Sequence, residues 1–84
     1  MKKFIYFSAP WCGPCRMFGP VMDRINASGI PVEKINVDSA PATAAAYNVR
    51  SVPTTILVDS QGEELSRFVG AKSEADVRSI YGQV

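Results

Sequence analysis

The sequence contains no histidine and only two cysteines, and both shortages narrow what it can do. Without imidazole, cysteine–histidine nucleophile pairs and histidine-built zinc sites are excluded within one chain. A bridge between Cys12 and Cys15 closes almost no chain, so it cannot staple distant segments as the disulfides of secreted miniproteins do. The pair is therefore expected to be functional. Two plainer readings stay open at this level: half of a metal site completed by a second copy, or a buried inert pair. Neither accounts for Trp11 or Pro14.

An excess of charge of one sign is also missing. Nine basic residues against eight acidic ones give no field that would argue for nucleic acid or an anionic membrane. No apolar run approaches the roughly 20 residues of a membrane span. The run Phe4 to Phe7 behind Met1-Lys2-Lys3 is shorter than the roughly 7–15 residues of a signal-peptide core. A soluble, cytoplasmic protein is the resulting expectation. Repeats, linkers and low-complexity tracts are absent, and 84 residues hold one domain, residues 1–84.

Phe4-Ile5-Tyr6-Phe7 is continuously apolar, the pattern of a central strand covered on both faces. From Gly13, the residues Met17, Phe18, Val21, Met22 and Ile25 recur at helical spacing until Ser28-Gly29. Pro14 fits the first turn, and Pro20 falls inside and should bend the helix. Val32 to Val37 reads as a second strand. Pro41 to Tyr47 reads as a short alanine-rich helix, with Ser39 as its cap and Asn48 ending it in a left-handed conformation. Thr54 to Val58 and Glu63 to Val69 make a hairpin around Asp59-Ser60-Gln61-Gly62, the second strand suited to an edge. Ser73 to Asp76 opens a last helix with Val77, Ile80, Tyr81 and Val84 on one apolar face. The order βαβαββα implies an α/β fold, with a four-stranded mixed sheet flanked by three helices.

The two cysteines stand where the first strand meets the first helix. Free N–H groups and the positive dipole end there favour a thiolate on Cys12. Cys15, a turn further in, is expected to be more shielded and within reach, able to attack a mixed disulfide. Gly13-Pro14 limits the loop's flexibility and adds no charge.

The segment Ala9-Pro10-Trp11-Cys12-Gly13-Pro14-Cys15-Arg16-Met17 resembles the active site of the thioredoxin family. The likeness continues through Pro20, Lys34-Ile35-Asn36-Val37-Asp38, Arg50-Ser51-Val52-Pro53-Thr54, Gly62 and Val69-Gly70-Ala71. It implies a minimal thioredoxin fold and a thiol–disulfide oxidoreductase that reduces protein disulfides. The Cys12–Cys15 disulfide would be its redox centre, with no bound cofactor and no metal. A monomer served by a thioredoxin reductase, in electron transport and redox homeostasis, is further implied. By the same resemblance Pro53 is cis and exposes the Val52 backbone for strand-like pairing with substrate. Trp11 would supply an apolar rim and Gly70 a close approach. Against these stand an ordinary trans-proline, a core tryptophan and a plain turn. Arg16 and Arg50 would either raise the local potential or be solvated charges.

Two departures from the family pattern matter. Its first strand and helix have no counterpart before residue 4, an order shared with glutaredoxins. Its buried aspartate beneath the disulfide is replaced by Tyr6, and a phenol with a pKa near 10 cannot take a proton at neutral pH. Water or a neutral Lys34 is then expected to accept the Cys15 proton, with Tyr6 either hydrogen-bonding or simply a core aromatic. Two other functions fit the same residues. One is a glutathione-dependent glutaredoxin-like reductant, disfavoured by Gly13-Pro14 and by a single Gly70. The other is a docking module with incidental cysteines.

Overall fold

The apolar run near the amino end becomes β1 (Lys3–Ser8), an inner strand of the sheet, in a computed structural model that describes all 84 residues. It is followed by α1 (Gly13–Ala27), β2 (Val32–Asn36), α2 (Pro41–Ala46), β3 (Thr54–Val58), β4 (Glu64–Val69) and α3 (Glu74–Gln83). The strand order is β2-β1-β3-β4, with β1 parallel to β2 and antiparallel to β3.

Alternation along β1 divides the core. Phe4 and Tyr6 face one side, where they pack with Phe18, Met22 and Ile25 of α1, Leu57 of β3, Phe68 of β4 and Val77 of α3. Ile5 and Phe7 face the other, against Ala44 of α2, Ile56 and Val58. Both faces are covered, which is why the strand needs no polar position between Phe4 and Phe7. Each large side chain sequestered this way contributes about 1.5–3 kcal/mol.

The helix ends follow local chemistry. α1 runs through Pro20, whose missing N–H leaves the Arg16 carbonyl without its helical donor. It stops where the Ser28 hydroxyl donates to the Ile25 carbonyl at 2.7 Å and Gly29 takes φ 105°. α3 is capped by Ser73, whose Oγ accepts the Asp76 N–H at 3.1 Å.

Two expectations fail here. Ser39 does not cap α2. The N-cap is Ala40, with no side-chain bond, and Tyr47 is the C-cap. Asn36 does the local work instead: its carbonyl accepts the Ser39 and Ala40 N–H groups and its Oδ1 accepts that of Asp38. Pro41 at the start of the helix has no N–H to satisfy. Val84 also leaves the apolar face of α3 and is half exposed, lying beyond the last helical residue. Asn48 does adopt the left-handed conformation expected of it, with φ 55°.

Strand pairing decides where chemistry can gather. Ser8 lies opposite Asn36, Phe7 opposite Thr54, and Thr54 opposite Val69. The loops after β1, β2 and β4 and the loop before β3 therefore meet at one end of the sheet, beyond the carboxyl ends of the parallel pair, where ligands bind in open α/β sheets.

One buried group in this core is unpaired. Thr55, across from Tyr6, is fully buried and its hydroxyl has no hydrogen-bond partner. Thr55→Val keeps the branched shape and removes that group, so it should raise stability by about 1 kcal/mol. An increase in the urea midpoint at unchanged slope would register it, and a decrease would contradict it.

Candidate functional site

Cys12 is the N-cap of α1, in an extended conformation, with Gly13, Pro14 and Cys15 as the first three helical residues. Its sulfur takes the place usually held by a serine or aspartate oxygen: Sγ accepts the Cys15 N–H at 3.2 Å. Cys12 and Cys15 are joined in a disulfide, their Cα atoms 5.3 Å apart. No acidic residue lies in the first turn of α1 to oppose the dipole. In the dithiol state the same N–H and the helix end favour negative charge on the Cys12 sulfur.

The expected difference in shielding is not seen. Cys12 is 4% exposed and Cys15 6%, because both pack with Ala9, Val37 and Val52 beneath the loop. Cys12 is set apart by its position at the cap and by the groove beside it.

That groove is shallow and open, lined by Trp11, Val37, Ala44, Val49, Arg50, Ser51 and Val52. Trp11 is 67% exposed, which removes the core-packing alternative. Its indole N–H donates to the Asp38 carboxylate at 3.0 and 3.3 Å, fixing the ring beside the groove. The sequence does not single out Asp38 as a site residue. Its one signal is a place just past the end of β2, which parallel pairing carries to the end of β1.

The Val52–Pro53 peptide bond is cis. The Val52 N–H and carbonyl make no backbone hydrogen bond within the chain. Pro53 is buried, and its carbonyl accepts the Gly70 N–H at 2.8 Å, so the loop after β4 is tied to the loop before β3. Gly70 holds φ 88°, a conformation that favours glycine, but a Cβ there would meet nothing within 4 Å, so the backbone conformation and not a close approach accounts for the glycine.

Tyr6 lies under the helix, fully buried, its ring edge-on to Phe18 with centroids 5.7 Å apart. Its hydroxyl donates to the Cys15 carbonyl over a long 3.4 Å. Burial raises its pKa above the ordinary phenol value, the Asp23 charge raises it further, and a hydrogen bond with Ser8 opposes both. Tyr6 therefore stays protonated at neutral pH and cannot take the Cys15 proton. Lys34, opposite Tyr6 on β2, does not reach for the cysteines: its ammonium pairs with Asp23 at 3.0 Å, half exposed.

A raised phenol pKa has a stability consequence. The unfolded phenol ionises first, so this contribution is intact below about pH 10 and is lost as pH rises through the folded value. Tyr6→Phe should flatten the alkaline fall in stability. Urea midpoints between about pH 8 and 11.5 would show it, and curves parallel to wild type would refute it.

The thioredoxin family model matches residues 2–82. A thioredoxin of Porphyra purpurea is 46% identical over 82 residues, covering 94% of this chain and 76% of the relative. A chloroplastic M-type thioredoxin of Spinacia oleracea is 47% identical over 68 residues, covering 77% of this chain and 37% of the relative. Among solved structures, a mutant thioredoxin from Halobacterium salinarum NRC-1 superposes with a TM-score of 0.86 at 38% identity. That match covers 94% of this chain and 70% of the other.

Proposed function

Because this chain belongs to the thioredoxin family and is a thiol–disulfide oxidoreductase that reduces protein disulfides, we propose that Cys12 attacks and Cys15 resolves. The observation that carries this assignment is Cys12 at the helix N-cap, with its sulfur on the Cys15 N–H and the unpaired Val52 backbone nearby.

The Cys12 thiolate attacks one sulfur of a substrate disulfide. That S–S bond breaks, a mixed disulfide forms, and the departing substrate thiolate takes a proton from water. Cys15 loses its proton and attacks Cys12 Sγ, which breaks the mixed disulfide and frees the second substrate thiolate. Two electrons have passed to the substrate, and the Cys12–Cys15 disulfide remains. A reductase partner returns two electrons, and one proton taken up by Cys15 restores the Cys12 thiolate and Cys15 thiol. The family works through this cysteine pair and not through an external cofactor.

The substrate segment runs beside Val52 as an added strand, with Trp11, Pro53 and Gly70 bounding it. Gly13 and Pro14 shape the loop. Water accepts the Cys15 proton, while Tyr6 holds the Cys15 carbonyl, since Lys34 is engaged by Asp23. Residues 1–84 act as one domain and a monomer. No helix is long and apolar enough to cross a membrane. Relatives include a chloroplastic protein, and we assign this chain to the cytoplasm, where thiols are kept reduced.

Insulin reduction tests the reading. Wild type should turn over with thioredoxin reductase and NADPH faster than with glutathione and its reductase, and Cys12→Ser should not exceed background. Equal turnover by Cys12→Ser would leave only a docking role.

A further inference from the structure

The chain's net charge of +1 conceals an uneven distribution. Five of the nine basic side chains are neutralised by carboxylates: Lys3 by Glu33, Arg24 and Arg78 by Glu74, Lys34 by Asp23, and Arg67 by Glu64. Lys2 donates to the Tyr81 and Val84 carbonyls. The remaining three, Arg16, Arg50 and Lys72, have no carboxylate partner, and all three are exposed at the end of the sheet that holds the disulfide.

Arg16 follows Cys15 directly and reaches back to the Pro10 carbonyl at 3.5 Å. Arg50 lines the groove with Trp11 and Val52. Lys72 stands two residues past Gly70, its ammonium 5.5 Å from the Phe68 ring centre. Phe68 packs on Phe18 of α1, so Lys72 lies on the opposite side of the site from Arg50. Two carboxylates also lie at this end, Asp38, which keeps its charge while accepting the Trp11 indole N–H, and Asp76 in the first turn of α3, which forms no ion pair with Lys72, so the three cations outnumber them. Asp59 and Glu63, which have no ion pair, lie in the β3–β4 turn at the far end.

We propose that Arg16, Arg50 and Lys72 form a cationic rim that selects protein disulfides flanked by acidic residues. The inference rests on the oxidoreductase reading above and adds a substrate class to it. An extended substrate seated beside Val52 projects its flanking side chains past the groove, where carboxylates would meet Arg50 on one side and Lys72 on the other, with Arg16 next to Cys15. Exposed pairs are individually weak, and two or three together amount to about tenfold in the specificity constant. Like charges facing the rim would be rejected, and the preference would act mainly through the association rate.

The test uses three peptides with one disulfide loop, flanked by Glu, by Gln or by Lys, and compares kcat/KM. At about 10 mM salt the Glu-flanked peptide should be reduced about tenfold faster than the Lys-flanked one, with the Gln-flanked one between. At about 1 M salt, where charges are screened beyond about 3 Å, the ratio should fall below about two. The R16Q/R50Q/K72Q variant should lose the ratio at low salt. Any effect of these substitutions on the Cys12 thiolate acts on all three peptides alike and cancels in the ratio. Equal rates at low salt, or a ratio that survives in the variant, would overturn this proposal alone. Failure to reduce any of the three would overturn the oxidoreductase reading and this one with it.

Discussion

Cys15→Ser is expected to convert the protein from a turnover catalyst into a trap. Cys12 keeps its N-cap geometry, since the hydrogen bond it accepts comes from the backbone N–H of residue 15 and not from the Cys15 sulfur. It should still attack a disulfide and release one substrate thiol. With no second sulfur within reach, the mixed disulfide persists until an external thiol resolves it. The advantage of a well-oriented intramolecular group is equivalent to about 10⁵ M or more of free reagent, so insulin turnover should drop by at least about a hundredfold. A one-to-one covalent adduct, stable without reductant and cleaved by excess dithiothreitol, should be visible on a non-reducing gel. Cys12→Ser should give neither turnover nor adduct. An adduct through Cys15 in that variant, with none in Cys15→Ser, would reverse the two roles.

The parts of this site that are legible in the sequence are those written in short stretches. Phe4 to Phe7 reads as an inner strand because four consecutive apolar residues leave no solvent face, and the structure buries all four. The cysteine spacing at a helix start puts the first sulfur at the helix end, while the disulfide as a redox centre comes from the family resemblance, and Asn48 announces its own left-handed turn. What stays hidden depends on elements brought together by pairing. Asp38 is 27 residues from Trp11, and only the parallel pairing of β1 and β2 carries the carboxylate to the indole. Ser39 has the type and position of a cap, but Asn36 three residues earlier supplies two acceptors and wins the local competition. The groups that stay unneutralised at the site cannot be found without knowing which cations elsewhere find partners. Arg16 and Arg50 look like many surface arginines until the other ion pairs are in view. The cis state of Pro53 comes from resemblance, since local residue chemistry alone also fits a trans-proline opening a strand.

Tyr6→Ala is expected to be among the most damaging single changes away from the disulfide. The ring is fully buried between β1 and α1, edge-on to Phe18, and belongs to the same cluster as Phe4, Met22 and Leu57. Truncating a buried aromatic costs about 3–5 kcal/mol through lost transfer energy and an unfilled cavity. A domain of 84 residues has a total stability of roughly 4–13 kcal/mol, so the variant should be largely unfolded or melt far below wild type. Tyr6→Phe keeps the ring and loses only a 3.4 Å hydrogen bond to the Cys15 carbonyl, a change of about 1 kcal/mol or less. The pair of variants separates packing from chemistry. If water takes the Cys15 proton, Tyr6→Phe should reduce insulin at pH 7 within about a factor of three of wild type, while Tyr6→Ala shows a sharply lowered urea midpoint or no transition at all. A Tyr6→Phe protein with wild-type stability and a large loss of rate at pH 7 would put the hydroxyl directly in the resolving step. The position taken by a carboxylate in the family pattern would then be a chemical substitution as well as a structural one.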